Sequence, residues 1–384
     1  MGQLTGMLRD EIAATGGRIP FARFMEIALY HPEHGYYLSA TRRPGRSGDF
    51  ITSPEASAYF GLTVARQVAE CWERLGQPAQ LDIREYGAGI GVLAYDILAG
   101  LSEGPPELLA RVRYRMVEPN PHRRAEALAA MDEAGLGGSV VAESSDDSED
   151  LEPITGVLVA NEVADALPVH RLVGREDGFG ERWVVADGAG FAWADGPLSE
   201  GGERAAAELR ESGIVPRPGA VYDASPAASD WFEAACRSID RGYAIAIDYG
   251  YPAAELYLTH RLEGTLRAYA GHTVTDEVFA DPGQRDLTAH VDLTTLERAG
   301  VRAGMVPAGL TTQGAFLASL GLGARLVALR HDPEATTEEY LGAQAVVLRL
   351  IDPGGLGRFR VLMMAKGVPV DPPLLGLREK PPSF

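Results

Sequence analysis

Leu81-Asp82-Ile83-Arg84-Glu85-Tyr86-Gly87-Ala88-Gly89-Ile90-Gly91-Val92-Leu93 joins a short strand to a helix through a turn with three alternating glycines. Gly87 and Gly89 permit positive φ and carry no Cβ, so the backbone can press against a ligand. Gly91 lets the following helix pack closely on the strand. By itself the pattern also fits a ligand-free turn. Two carboxylates argue for more: Glu85 stands just before the first glycine, and a second strand, Val112-Arg113-Tyr114-Arg115-Met116-Val117, ends at Glu118. A carboxylate at the tip of the second strand is placed to accept hydrogen bonds from ribose hydroxyls.

Nicotinamide dinucleotides and S-adenosylmethionine (SAM) both use that device, and the loop chooses between them. The dinucleotide fingerprint G-x-G-x-x-G brings a helix N-terminus to a pyrophosphate. Here the third glycine comes one residue early. An acid directly before the glycines would repel a pyrophosphate but suits the ammonium group of SAM's methionine part. The expected cofactor is therefore SAM.

Composition narrows the remaining choices. A chain of 384 residues can bury a large core and accommodate insertions or a second domain. No apolar run of about 18 residues suggests a membrane span, and the first residues, Met1-Gly2-Gln3-Leu4-Thr5, lack a secretory pattern. Cys71 and Cys236 lie far apart with no metal spacing and read as buried thiols of a reducing compartment. A cytoplasmic location is the expectation, with no metal. The net charge is −19, and Lys366 and Lys380 are the only lysines. Such acidity argues against nucleic acid as a partner and is compatible with a basic protein substrate.

From Leu81 onward strands and helices alternate, which calls for a parallel sheet covered by helices. The strand runs are 81–86, 112–117, 139–142, 156–160 and 243–247, with helices over 92–101 and 123–131. Segments 343–351 and 358–365 flank Asp352-Pro353-Gly354-Gly355-Leu356-Gly357 and read as an antiparallel hairpin. The expected fold is α/β, a class I (Rossmann-like) methyltransferase sheet with an antiparallel C-terminal hairpin. Residues 1–80 would form a helical N-terminal extension and active-site lid. In that extension a helical pattern begins at Ile12 and another near Pro20, and Ser53 and Pro54 read as the cap of a helix running to about Leu75. The SAM-binding core begins over 81–168, followed by a β-rich insertion over 169–235 that opens with a small meander. A core strand over 236–254, a substrate-side insertion over 255–340 and a core hairpin with tail over 341–384 complete the division. The acidic stretch 143–152 reads as a solvated loop.

In open α/β sheets ligands sit at the carboxyl ends of strands. The strand ending at Ala160 runs into Asn161-Glu162 and then Asp165-Ala166-Leu167-Pro168. Asn161 and Glu162 are the candidates for contacting the methyl acceptor, with helix capping as the plainer alternative. A carboxylate there could hold a guanidinium bidentately and position an arginine nitrogen. Asp49, Thr52 and Glu55 cluster polar groups beside Phe50-Ile51, although a capping arrangement explains them equally well. Tyr249, in Asp248-Tyr249-Gly250-Tyr251, follows another strand end, where lining the pocket and packing over the sheet end explain it equally; His272 stands in a loop with polar neighbours where it could act as a base, with a structural hydrogen-bonded histidine as the plainer reading.

Several longer blocks appear in fixed order. They are Phe24-Met25-Glu26 through His34-Gly35-Tyr36-Tyr37, Gly48-Asp49-Phe50-Ile51-Thr52-Ser53-Pro54-Glu55, Asn161-Glu162 with Asp165-Ala166-Leu167-Pro168, and Asp248-Tyr249-Gly250. Gly264-Thr265-Leu266 with Tyr269 and His272, and Asp286-Leu287-Thr288-Ala289-His290-Val291-Asp292, complete the series. Together they resemble the MidA family of SAM-dependent methyltransferases, relatives of a mitochondrial complex I assembly factor. The resemblance implies a class I methyltransferase and, from the mitochondrial members, methylation of a protein arginine. It assigns Glu85, Gly87, Gly89 and Gly91 to the SAM loop, Glu118 to the ribose, and Asn161-Glu162 to the wall of the active site, Asn161 also beside the cofactor. It further implies function in the Asp49 to Glu55 block, with Asp49, Glu55 and Asp165 as catalytic candidates and Thr52, Tyr249 and His272 facing substrate. Ile90, Val92 and Leu62 depart from the family's habit; they spare the glycines and leave the acceptor open.

The leading expectation is transfer of a methyl group to an arginine nitrogen of a protein or peptide substrate. A small-molecule or peptide O- or N-methyltransferase on the same fold is the alternative. A non-catalytic assembly factor that binds SAM and docks a partner is the second. An apolar helix among the first 80 residues could serve a homodimer interface.

Overall fold

The computed structural model describes residues 2–39, 53–144, 151–258, 262–270 and 273–378, without the side chains of residues 55 and 56. The chain forms two compact units: residues 1–50, 163–233 and 250–299 make one, and residues 51–162, 234–249 and 300–384 the other.

The second unit holds the main sheet. Its strands are β1 (Leu81–Tyr86), β2 (Val112–Val117), β3 (Val140–Glu143), β4 (Ile154–Asn161), β5 (Ile239–Asp248), β6 (Val306–Thr312) and β7 (Arg360–Lys366). They lie in the order β3-β2-β1-β4-β5-β7-β6. The first five are mutually parallel, and β7 runs antiparallel to both β5 and β6. Every residue of β1 is buried, as expected of a central strand covered on both faces. Parallel neighbours need crossovers, which α2 (Val92–Ser102) supplies after β1 and α3 (Pro121–Glu133) after β2, while α1 (Ala58–Arg74) packs along α2. The strand order reverses between β1 and β4, making a topological switch point where the carboxyl ends of these strands leave a crevice. Register sets those ends level: Tyr86 pairs with both Val117 and Ala160, and Asn161 pairs with Ile247.

The C-terminal antiparallel strand is present, but its partners are β5 and β6. Residues 343–351, expected as the other arm of a hairpin, belong to the helix Thr337–Ile351. A capping box between Thr336 and Glu339 starts that helix, and Ala343, Val347 and Leu350 form its buried stripe. Short aliphatic runs are ambiguous between strand and helix, and the upstream cap decides this one. Residues 255–340 likewise are not one insertion, because β6 lies in the core sheet and 250–299 in the other unit. Near the N-terminus the first helix spans Gln3–Ala14 rather than starting at Ile12. Ser53 does not cap the long helix either: a short turn of helix, Ser53–Ala56, ends before Ser57, whose hydroxyl accepts from Tyr59 N–H at the start of α1.

The first unit contains the expected meander as strands His170–Arg175, Gly178–Asp187 and Gly190–Gly196, extended by Ile19–Pro20 and Val221–Ala224. Phe21 and Phe24 from the helix Phe21–Tyr30 pack against Phe191, Trp193 and Phe279, with the Phe21 and Trp193 ring centroids 5.1 Å apart. Two insertions lead into this unit, one leaving the core after β4 and one after β5.

The acidic stretch 143–152 is only partly the solvated loop its composition suggests. Arg84 and Arg115 are register partners on adjacent strands and both are buried. Arg115 binds Asp82 at 2.7 Å and Glu143 and Glu152 at 2.8 Å each, so both ends of the stretch serve as counter-charges; residues 145–150 lie outside the described residues. Breaking a buried ion network by removing one partner leaves uncompensated charge. Arg115→Ala should therefore destabilise the protein by about 3–5 kcal/mol. A urea midpoint unchanged from wild type would contradict this.

Candidate active site

The glycine loop follows β1 directly. Gly87, Gly89 and Gly91 all adopt left-handed backbone, with φ of 70°, 57° and 84°. Their roles differ. A Cβ on Gly91 would come within 3.0 Å of Met131 Cε and 3.2 Å of Ala127 Cβ, so this glycine admits close packing of α3 against the start of α2. Among the described residues, and leaving aside its two chain neighbours, a Cβ on Gly89 would meet nothing within 4 Å. With that space open, the backbone at Gly89 can approach a cofactor.

Gly89 N–H donates to Glu118 Oε2 at 2.9 Å, and Asn120 N–H donates to Glu118 Oε1 at 2.9 Å. These two bonds orient a carboxylate that is almost fully buried at the tip of β2. Each oxygen retains acceptor capacity suited to a diol. Burial raises the Glu118 pKa, opposed by Arg123 and by the two backbone N–H groups. Asn120 also caps α3, its side chain accepting from His122 and Arg123 N–H.

Glu85 is buried at the end of β1, where Tyr114 OH donates to its Oε2 at 2.8 Å. Desolvation pushes its pKa up to about 7; the Tyr114 bond opposes the rise and the charge of Glu118 adds to it. Asp96, on α2, is likewise pushed up to about 6 by burial. A buried acid beside a second acid fits a cationic group, which is what the ammonium-bearing methionine part of SAM offers.

The second half of the crevice is Asn161-Glu162 at the end of β4. Glu162 N–H donates to Ile247 O at 2.8 Å, which continues the β4–β5 ladder by one bond. Glu162 has φ of 54°, a left-handed conformation that costs a non-glycine residue about 1–3 kcal/mol. Its Oε1 accepts from Asn161 Nδ2 at 3.0 Å and from Ser53 N–H at 3.2 Å. Asn161 Oδ1 is buried and, among the described residues, has no hydrogen-bond partner. The turn that follows, Ala164–Ala166, is a short 3₁₀ segment with no side-chain cap, so Asn161 and Glu162 do not serve as helix caps. Asp248, level with them at the end of β5, is buried and accepts from Tyr249 N–H at 2.8 Å. The Tyr249 ring stacks at a tilt on Phe359, 5.4 Å between centroids.

Glu85, Gly87, Gly89, Gly91, Glu118, Asn161, Glu162 and Tyr249 thus all belong to the second unit. Asp165 belongs to the first: it is buried, its carbonyl accepts from Ala289 N–H at 3.0 Å, and its charge helps raise the pKa of Tyr37. Asp49, Thr52 and His272 lie outside the described residues, as does the side chain of Glu55. Among the described residues no group of three or more His, Cys, Asp or Glu is gathered as a metal site would need. No helix among them is long and apolar enough to cross a membrane. Sequence reading missed Tyr114, Asn120, Ser53 in its contact with Glu162, and Gln313. Asn120 before Pro121 is a legible cap signal; the others depend on strand register and on contacts distant in sequence.

The model of a family described as "Putative S-adenosyl-L-methionine-dependent methyltransferase" matches residues 63–311. The chain is 30% identical to the protein arginine methyltransferase NDUFAF7 homolog, mitochondrial, of Drosophila melanogaster, over 96% of this chain and 86% of that protein. It is 28% identical to the protein arginine methyltransferase NDUFAF7, mitochondrial, of Danio rerio, covering 84% and 77% of the two chains. Among solved structures, a Burkholderia thailandensis protein bound to S-adenosyl-homocysteine superposes with a TM-score of 0.85 at 35% identity, covering 95% of this chain and 92% of that one.

Proposed function

The chain belongs to this S-adenosyl-L-methionine-dependent methyltransferase family, and on that premise we propose that its methyl acceptor is an arginine side chain of a protein. The observation that carries the reading is the pair at the end of β4: a buried amide oxygen on Asn161 with no partner among the described residues, beside the strained carboxylate of Glu162, which accepts from Asn161 Nδ2 and Ser53 N–H. Both groups accept hydrogen bonds. A guanidinium is planar and rich in donors, so it matches two adjacent acceptors better than a hydroxyl or a single amine does. The names of the curated relatives agree with this acceptor.

SAM supplies an electrophilic methyl group on a sulfonium. In the proposed roles, the Gly87 to Gly91 loop and Glu118 hold the cofactor, and Glu85 faces its cationic part. Glu162 holds the arginine so that one nitrogen approaches in line, and takes up the proton that nitrogen loses on methylation. Asn161 Oδ1 accepts from a second N–H and fixes the plane of the group. The test is incubation with methyl-labelled SAM and host lysate, followed by acid hydrolysis of the labelled material. Methylarginine in protein is the expected product. Label confined to small molecules would favour the small-molecule alternative, and SAM binding without any transfer would favour the docking factor.

Glu85 makes cofactor affinity depend on pH. Its raised pKa means that a proton occupies the carboxyl below about pH 7 and competes with a cationic ligand. SAM affinity should therefore rise with pH, by roughly tenfold between pH 6 and pH 8. The same shift acts oppositely on the cofactor-free fold, whose stability should fall as pH rises from about 4.5 toward 7. Calorimetric titration across this range checks the first effect, and Glu85→Gln should flatten it. A slope that persists in the variant would assign it to another group such as Asp96.

A further inference from the structure

The contacts of Glu162 extend to a residue that no sequence motif marks. We infer that Gln313 is a positioning residue for methyl transfer, acting through Ser53 on Glu162; this rests on the reading of Glu162 given above. Gln313 opens the helix Gln313–Ser319 and is fully buried. Its backbone N–H donates to Phe359 O at 2.7 Å and its Nε2 to Leu350 O at 3.3 Å. A carbonyl can only accept, so the amide's nitrogen end must face Leu350 and its Oε1 must face the other way. There it meets Ser53 Oγ at 3.1 Å. Because Gln313 Oε1 is also only an acceptor, the Ser53 hydroxyl must donate, and its rotor is fixed.

Ser53 is fully buried too, and its backbone N–H is the second donor on Glu162 Oε1. The chain of contacts therefore runs from two backbone carbonyls, of Leu350 in the helix Thr337–Ile351 and of Phe359 before β7, through Gln313 and Ser53 to the carboxylate. Glu162 holds a left-handed backbone that its own type disfavours, and such conformations persist only where the surroundings over-determine them. Gln313 and Ser53 supply part of that determination. Among the described residues neither hydrogen-bonds to the glycine loop or to Glu118, whose bonds run to Gly89 and Asn120, so their effect belongs on acceptor chemistry and not on SAM binding.

Ser53→Ala, Gln313→Met and the double variant test this, using initial rates of label transfer from SAM to host-lysate protein at varied lysate concentration. Each single variant should lower the maximal rate about tenfold, with half-saturation by lysate and calorimetric SAM affinity within about twofold of wild type. The double variant should be no slower than the worse single variant, because both interrupt one connection. Multiplying effects, or a well-folded Gln313→Met at the wild-type rate, would overturn the inference. Should Gln313→Met fail to fold, Ser53→Ala removes a single hydroxyl and decides alone: the wild-type rate in that variant refutes the connection. Glu162→Gln is measured in parallel. Full transfer by Glu162→Gln would overturn both readings, whereas an inactive Glu162→Gln beside a fully active Ser53→Ala would overturn only this one.

Discussion

Glu162→Gln is expected to reduce methyl transfer by roughly 10²–10⁴-fold, the span associated with loss of a positioned acid–base group. Glutamine keeps the shape of glutamate and an oxygen able to accept from Asn161 Nδ2 and Ser53 N–H, the two donors now at 3.0 and 3.2 Å. What it loses is the charge and the second acceptor. The backbone strain at φ of 54° is unchanged by the substitution, so the folded structure should survive. Calorimetry should show SAM bound as tightly as in wild type, which separates this residue from the cofactor loop. Transfer at the wild-type rate to the natural acceptor would remove Glu162 from the chemistry.

Gly89→Leu should weaken SAM binding by roughly a hundredfold or more, about 2.7 kcal/mol. Among the described residues nothing beyond its chain neighbours lies within 4 Å of a Cβ at Gly89, so a leucine there fills the space the proposed cradle offers the cofactor. Its cost to the fold is the left-handed conformation alone, roughly 1–2 kcal/mol, which a domain of ordinary stability withstands. Gly91→Leu should behave differently. Met131 and Ala127 already approach that position at 3.0 and 3.2 Å, so overpacking adds to backbone strain and the loss appears first in thermal stability. Equal losses of stability in the two variants, with SAM binding retained by Gly89→Leu, would mean that the loop does not cradle the cofactor.

The central strands were legible because buried parallel strands are written as short apolar runs with polar ends. The boundaries of β1 and β2 coincide with the sequence reading, Leu81–Tyr86 and Val112–Val117. The final sheet partner was not legible in the same way. Residues 343–351 are short and largely aliphatic whereas 306–312 carry Pro, Gly and two Thr, and pairing with β7 across about fifty residues is set by the tertiary fold rather than by either segment. The misplaced cap at Ser53 has a related cause. A serine before proline reads locally as a helix start, and only the buried Gln313, 260 positions later, gives its hydroxyl another use.

The glycine loop illustrates the division most clearly. Residue order alone, with Glu85 before Gly87 and Glu118 after the second strand, points to a SAM cradle, and the alternation of strands and helices to a class I sheet, because backbone conformation and strand-end chemistry are local properties. The folded chain decides what those groups do. Tyr114, brought alongside by strand register, holds a Glu85 carboxyl whose pKa burial lifts to about 7. Reversal of strand order between β1 and β4 sets Asn161 and Glu162 level with the loop. The strain, the amide oxygen without a partner among the described residues and the Ser53 contact at that point arise from packing between distant segments, and no local pattern encodes them.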